Sequence, residues 1–236
     1  MEQIIIVVAV LPLISALLIQ IFAGRIGRGI ARFSVAITTL SFLLAGLLLS
    51  FSLAGHGPQT LTLGNSTAIM LFDPLSTLLA TVILGISLIV HIYSVRYMAE
   101  EDAYGQFFVL LDLMTGALLF MVIAGDLITL VIAWYLVGVL LYFLLGHDTR
   151  SQTAYRFAFW TLITYRIGDI PLILAAALLY NAYDTWSLTT IFTEIMANPG
   201  AHQFLGLPLT EVVAALIGLA AFARSAQFLL HTWLPY

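Results

Sequence analysis

The chain has 236 residues, of which 62% are hydrophobic and only 8% charged. A soluble domain carries about 25% charged residues, so this composition describes an integral membrane protein and excludes a soluble globular one. There is no cysteine, the five histidines are scattered without ligand spacing, and the net charge of −4 is spread through loops. Disulfides, thiolate chemistry, a metal site built by this chain alone and a nucleic-acid footprint are therefore not expected.

Taken in order, the apolar runs are each long enough for a ~30 Å hydrocarbon core. The first covers 4–22 and lacks a basic leader, since Glu2 precedes it, so it reads as a retained helix and not a cleaved signal. Arg25, Arg28 and Arg32 follow in a glycine-rich turn, then a second span at 33–53. A polar loop over 54–68 leads to the third span, 74–95, which opens at Asp73-Pro74, a cap followed by proline in the first turn. The fourth span is 107–124, the fifth 127–145 after a Gly125-Asp126 turn, and the sixth 157–179. A loop with Asp184, Glu194 and Pro199 leads to the seventh, 211–230, which runs towards Pro235 and is expected to break near its C-terminal end. The expected fold is an all-α integral membrane protein of about seven transmembrane helices, forming one domain over 1–236.

All eight basic residues are arginine. Six of them lie in the first, third and fifth loops, so the positive-inside rule puts those loops in the cytoplasm, the N-terminus outside and the C-terminus inside.

Charges inside the spans are the candidate functional residues. An arginine at a bilayer centre costs roughly 2.5–3.5 kcal/mol on insertion scales, which makes Arg224 in the apolar segment LIGLAAFARSAQFLL the leading candidate. It stays protonated and cannot relay protons itself, but it sets the potential beside it. Its other reading is an arginine neutralised by Asp169 or Asp112. Arg166 and Asp169 are three apart on one helix face and can pair, as a structural ion pair or as one that exchanges partners. Asp112 reads either as a carboxylate near the interface that is solvated or bonded to a neighbouring hydroxyl such as Thr115, or as a contact with a hydrated path. Asp126 reads first as an N-cap. His91 and His231 are the imidazoles able to titrate near neutral pH, His91 as a bonded interfacial residue and His231 beside the helix break. The tryptophans, Trp134 among them, read as packing and interface anchors.

The motifs resemble the antiporter-like membrane subunits of respiratory complex I, above all its L-type subunit. Related subunits occur in Mrp cation/proton antiporters, membrane-bound hydrogenases and the DAB inorganic-carbon complex. The matching residues are Phe72-Asp73-Pro74-Leu75-Ser76, His91-Ile92-Tyr93-Ser94 with Tyr97-Met98, and Gly125-Asp126-Leu127. They continue through Trp134 to Gly138, Arg166-Ile167-Gly168-Asp169, Arg224-Ser225-Ala226-Gln227 and His231-Thr232-Trp233-Leu234-Pro235. Two positions depart from the family. Tyr135 stands where proton-pumping members have glutamate after the tryptophan, and Arg224 stands where the family has lysine. In the family that glutamate and lysine form the switching pair. The sequence also stops where the resemblance places the second half of the broken seventh helix, which leaves at most one half-channel.

The resemblance implies a cation-translocating subunit of a bacterial inner membrane, with protons first and sodium second, coupled to a partner. That partner would be a large soluble zinc carbonic-anhydrase-like subunit of a DAB-type carbon-uptake complex, or complex I-like or Mrp subunits. No cofactor is implied, and any enzymatic chemistry of an NADH:quinone oxidoreductase-like assembly would sit on other chains. The alternative is a structural anchor that docks a partner and no longer conducts. The ion-pathway candidates are Arg224, Arg166, Asp169, Asp126, Asp112, His231, Tyr135 and His91.

Overall fold

The computed structural model describes residues 2–27, 29–57, 59–63, 67–101, 103–147 and 152–225. Its helices are α1 (Glu2–Ile26), α2 (Gly29–Leu53), α3 (Pro74–Tyr97), α4 (Tyr104–Val122), α5 (Leu127–Leu145), α6 (Gln152–Tyr183), α7 (Leu188–Ala197) and α8 (Leu209–Arg224). Short strands β1 (Gln59–Leu63), β2 (Thr67–Phe72), β3 (Gln203–Phe204) and β4 (Leu207–Pro208) occupy only the connections. The chain is an all-α membrane protein: α2 to α6 are each long and apolar enough to span, and α1 holds a shorter apolar stretch, Ile6–Phe22.

Two connections expected as loops carry structure of their own, for local reasons. The 54–68 loop contains β1 and runs into β2, in keeping with the alternation of Thr with Leu in Gln59–Leu63, a pattern suited to a strand. The connection after α6 contains the amphipathic helix α7, started by the Ser187 side chain accepting from the Thr190 N–H. It then turns through the hairpin of β3 and β4, where Phe204 faces Leu207, and the turn residues Leu205 and Gly206 both have positive φ, 54° and 82°. That is the backbone a two-residue hairpin demands. The seventh expected span, 211–230, is described only as far as Ser225; α8 ends at Arg224, and the expected break at 226–236 lies outside the described residues.

The chain divides into two compact units. Unit 1 contains α1 to α4. Its interior is built from small and hydroxylated residues at helical spacing: Ser34, Thr38, Ser41 and Ala45 on α2, and Ala80, Leu84, Ser87, His91 and Ser94 on α3. The large apolar side chains point outward, as with Leu43 at 62% and Ile89 at 69% exposure. A water-soluble bundle would do the reverse. This arrangement suits lipid, where helices associate through small residues and hydroxyl hydrogen bonds. Asp73 caps α3 as expected, accepting from the Ser76 N–H at 2.7 Å while its own N–H donates to Ser76 Oγ at 2.9 Å.

Unit 2 contains α5 to α8. Leu127, Ala175, Ala176, Leu179, Ile191, Leu209 and Val213 form its apolar core, joining α5, α6, α7 and α8. The approach of α6 to α8 is set by Gly168, where an added Cβ would lie 2.5 Å from Ala223 Cβ and 3.3 Å from the Ala220 carbonyl oxygen. Neither neighbour is the end of a flexible side chain, so only glycine fits. A Gly168→Ala variant is expected to push the helices apart at a cost of about 1–3 kcal/mol, read as a lower thermal unfolding midpoint of the detergent-solubilised protein. Gly46→Ala in α2, where nothing lies within 4 Å of the added carbon, should be neutral or slightly stabilising.

Candidate functional site

The buried charges of unit 2 converge on Asp169. This carboxylate sits on α6, two residues before Pro171, and its side chain is only 7% exposed. Its Oδ1 accepts from Trp134 Nε1 of α5 at 3.0 Å and from Arg224 Nη2 of α8 at 3.5 Å. Its Oδ2 lies 3.0 Å from Arg166 Nη2, one helical turn earlier, an ion pair by distance that is not aligned as a hydrogen bond. Three helices therefore meet at one carboxylate, and the close contact of Gly168 with Ala223 is what brings Arg224 within reach of it.

Both guanidiniums are also held by aromatic faces and backbone. Arg224 Cζ lies 4.0 Å from the centre of the Trp134 ring and 5.0 Å from that of Tyr165, and its Nη2 also donates to the Trp134 carbonyl. Arg166 Cζ lies 3.8 Å above the Tyr135 ring, and its Nη2 donates to the Tyr135 carbonyl at 3.4 Å. Cation–π contact contributes about 0.5–2 kcal/mol, more when desolvated. Space for Arg166 comes from Gly138, whose added Cβ would lie 2.8 Å from Arg166 Nη2. The cluster of two arginines and one aspartate carries one net positive charge. Arg166 Nε, Arg166 Nη1 and Arg224 Nε have no hydrogen-bond partner in this cluster, and buried charges of this kind are costly unless paired.

The remaining candidates are placed elsewhere. Asp126 caps α5, its Oδ1 accepting from the Thr129 N–H at 2.7 Å and its Oδ2 from Thr129 Oγ1 at 2.8 Å. Both oxygens are used locally, so the expected cap holds and Asp126 does not join the Asp169 cluster. Asp112 and His91 belong to unit 1. Neither side chain is solvated: both are 0% exposed and 3.0 Å apart. Nor does Thr115 bond to Asp112. Its hydroxyl donates to the Leu111 carbonyl at 2.9 Å and contacts Ser87 Oγ at 2.6 Å, while Ser15 and Ser34 supply the hydroxyls on Asp112. His231 lies outside the described residues. Among the described residues, no group of three His, Asp or Glu is placed to hold a metal.

Sequence reasoning missed Trp134 as a donor and Tyr165 as a flank of Arg224. It also missed Ser15, Ser34 and Ser87 around Asp112 and His91, and gave Thr115 to the carboxylate where it meets Ser87. A signal for the last existed: Ser87, His91 and Ser94 recur at helical spacing, as do Ser34, Thr38 and Ser41, and such a polar stripe on an apolar helix marks its inward face.

Comparison with known proteins places these features in a family. A family model for the transmembrane part of NADH:quinone oxidoreductase/Mrp antiporter subunits matches residues 124–236. A model for the N-terminus of chain 5 of NADH-ubiquinone oxidoreductase (complex I) matches residues 62–108. The chain is 51% identical over 230 residues to the probable inorganic carbon transporter subunit DabB1 of Halothiobacillus neapolitanus, covering 97% of this chain and 41% of the relative. It is 31% identical over 242 residues to NAD(P)H-quinone oxidoreductase chain 5 of a Picosynechococcus species, covering 97% of this chain and 36% of that one. The Mrp complex of a Dietzia species contains a chain that superposes with a TM-score of 0.79 at 27% identity, over 99% of this chain and 25% of the other. The archaeal membrane-bound sulfane sulfur reductase contains one that shares the fold, with a TM-score of 0.85 at 20% identity, over 99% of this chain and 47% of the other. The chain spans less than half the length of these relatives. It belongs to the superfamily of antiporter-like membrane subunits shared by complex I-type oxidoreductases, Mrp antiporters and the inorganic carbon transporter subunit DabB1.

Proposed function

We propose that the chain is part of a cation-translocating subunit, with the proton as the ion, in which the Arg166–Asp169–Arg224 cluster is the electrostatic gate. The observation that carries this reading is the single buried carboxylate shared by two permanently charged guanidiniums. Neither arginine can give up its proton, so the cluster acts through its field. With Asp169 drawn to Arg224, the positive potential of α8 is compensated and a cation can approach. With Asp169 drawn to Arg166 alone, Arg224 is unmatched and repels it. At about 4 Å and an effective dielectric near 20, one charge changes the potential by about 4 kcal/mol, or roughly three decades in rate. Tyr135 and Trp134 serve as neutral supports that hold the guanidiniums while Asp169 moves between them. Asp126 is engaged as the α5 cap, Asp112 and His91 belong to unit 1, and His231, close after Arg224 in sequence, is assigned to the path leading from the gate.

The partner is proposed from similarity. Half of the aligned residues are identical to a probable inorganic carbon transporter subunit, against about a third for the redox-complex relative. This supports a DAB-type assembly in a bacterial inner membrane, with a large soluble zinc carbonic-anhydrase-like subunit as partner, over a complex I-like redox arm. Within that reading the chain crosses the bilayer about seven times, with the N-terminus outside and the C-terminus cytoplasmic.

The gate is tested in the assembled complex reconstituted in liposomes, by following proton entry with an internal pH dye. Asp169→Asn leaves both guanidiniums without their counter-charge, and at about 4 kcal/mol for one charge flux should fall by about three orders of magnitude, with complex yield followed in parallel. Loss of yield without any flux in the wild-type complex would instead make the chain a docking anchor. A second expectation concerns Tyr135. Tyr135→Phe keeps the ring under Arg166 and should retain flux within about twofold, whereas Tyr135→Leu removes about 0.5–2 kcal/mol of cation–π attraction and should slow it several-fold. Equal rates in both would remove Tyr135 from the gate.

A further inference from the structure

Unit 1 contains a second buried titratable centre that the gate does not use. His91 of α3 and Asp112 of α4 are both fully buried, with Nε2 3.0 Å from Oδ1. Every donor and acceptor around them can be assigned. His91 Nδ1 lies 2.7 Å from the Ser87 carbonyl oxygen, which can only accept, so Nδ1 carries a hydrogen. Ser87 Oγ is 3.2 Å from the same nitrogen and 2.6 Å from Thr115 Oγ1, and the Thr115 hydroxyl is committed to the Leu111 carbonyl. The Ser87 hydroxyl therefore donates to Thr115 and offers its lone pairs to His91. On the other side, Ser15 Oγ donates to Asp112 Oδ2 at 2.6 Å, and Ser34 Oγ donates to both carboxylate oxygens at 3.0 Å. Nε2 and Oδ1, facing each other at 3.0 Å, leave room for one proton between them.

Among the described side chains no other charge faces this pair: Arg32 on α2 and Arg96 on α3 are exposed. On α3, Tyr93 and Tyr97 are exposed; on α4, the Tyr104 hydroxyl donates to the Val95 carbonyl. The ring nearest the imidazole is Phe108, at 6.1 Å between centroids. Imidazole with carboxylic acid, or imidazolium with carboxylate, is neutral as a pair, and both forms hold the same number of protons. Removing the shared proton leaves a bare negative charge, and adding another leaves a bare positive one, each in a pocket walled by serines, a threonine and apolar groups. Buried groups avoid such states by keeping their protons or giving them up together.

We infer that His91 and Asp112 form a proton-binding site within unit 1, loaded with one proton shared between Nε2 and Oδ1 and separate from the arginine–aspartate cluster of unit 2. On the Ser87 side the hydroxyl chain ends at the Leu111 carbonyl, so the shared proton is held between Nε2 and Oδ1. The ligand is the proton itself.

The test is nitrogen-15 nuclear magnetic resonance of the full-length protein in lipid nanodiscs, labelled at histidine, with His91 assigned by its loss in His91→Gln. At mildly alkaline pH, wild-type His91 should show a protonated Nδ1 and an Nε2 signal displaced towards the protonated range by the shared proton. Asp112→Asn should convert Nε2 to a bare acceptor and leave Nδ1 unmoved. Ser34→Ala, a milder change should Asp112→Asn fail to fold, removes a donor from both carboxylate oxygens and should shift the shared proton towards Oδ1, moving Nε2 towards the bare value. A wild-type Nε2 already at the bare value, or one unmoved by either substitution, would overturn the site. The measurement reads the imidazole directly, so its outcome is independent of whether the complex conducts protons.

Discussion

The structure of unit 2 depends on one buried carboxylate of α6, held by donors from α5 and α8 and by the charge of Arg166. Taken singly, Arg166, Arg224 and Asp169 would each cost several kcal/mol in an apolar setting. Together, with Trp134 Nε1 and two aromatic faces, they become tolerable, and each constrains where its helix can sit. The steric detail follows from this electrostatic need. Gly168 and Gly138 are the places where a side chain would displace either a helix or a guanidinium. The small residues of this unit are thus explained by the charges they make room for.

Unit 1 uses the same construction with a different charge balance. There too a carboxylate on one helix collects donors from its neighbours, but they are serine hydroxyls and an imidazole. An imidazole can exchange a proton with its partner and cancel both charges, whereas a guanidinium cannot. Unit 1 therefore holds a neutral pair and unit 2 keeps fixed charge. A centre that retains net charge can shift a potential when its partners rearrange; a neutral centre can instead hold or lose a proton.

Much of this was legible in the sequence because membrane spans announce themselves by length and composition. The fifth span, 127–145, matches α5 residue for residue, since Asp126 caps one end and Gly146 closes the other. The Arg166–Asp169 pair was legible as well, because three-residue spacing on a helix leaves little choice of geometry. What stayed hidden has a common cause. The partners of Asp112 lie 97 and 78 residues away, at Ser15 and Ser34, and no local pattern encodes which helices become neighbours. Trp134 was hidden because an indole reads as apolar packing until its N–H is seen to find a carboxylate. Helix α7 was missed because it is short and amphipathic, and its surrounding polar residues read as loop.

Tyr135 brings these strands together. The resemblance expects a glutamate there, and a carboxylate beside Arg166 would have matched its charge. The tyrosine ring instead lies 3.8 Å under the guanidinium, an attraction that holds the group in place without neutralising it. The counter-charge must then come from Asp169, which Arg224 also claims. Substituting an aromatic face for a carboxylate therefore moves the competition for charge from a pair between two helices to one residue on α6. On the proposed reading, a switch made by forming and breaking an ion pair is kept here with Asp169 as its carboxylate. Arginine in place of lysine fits the same logic, because a cation that keeps its proton leaves Asp169 as the group whose pairing sets the field.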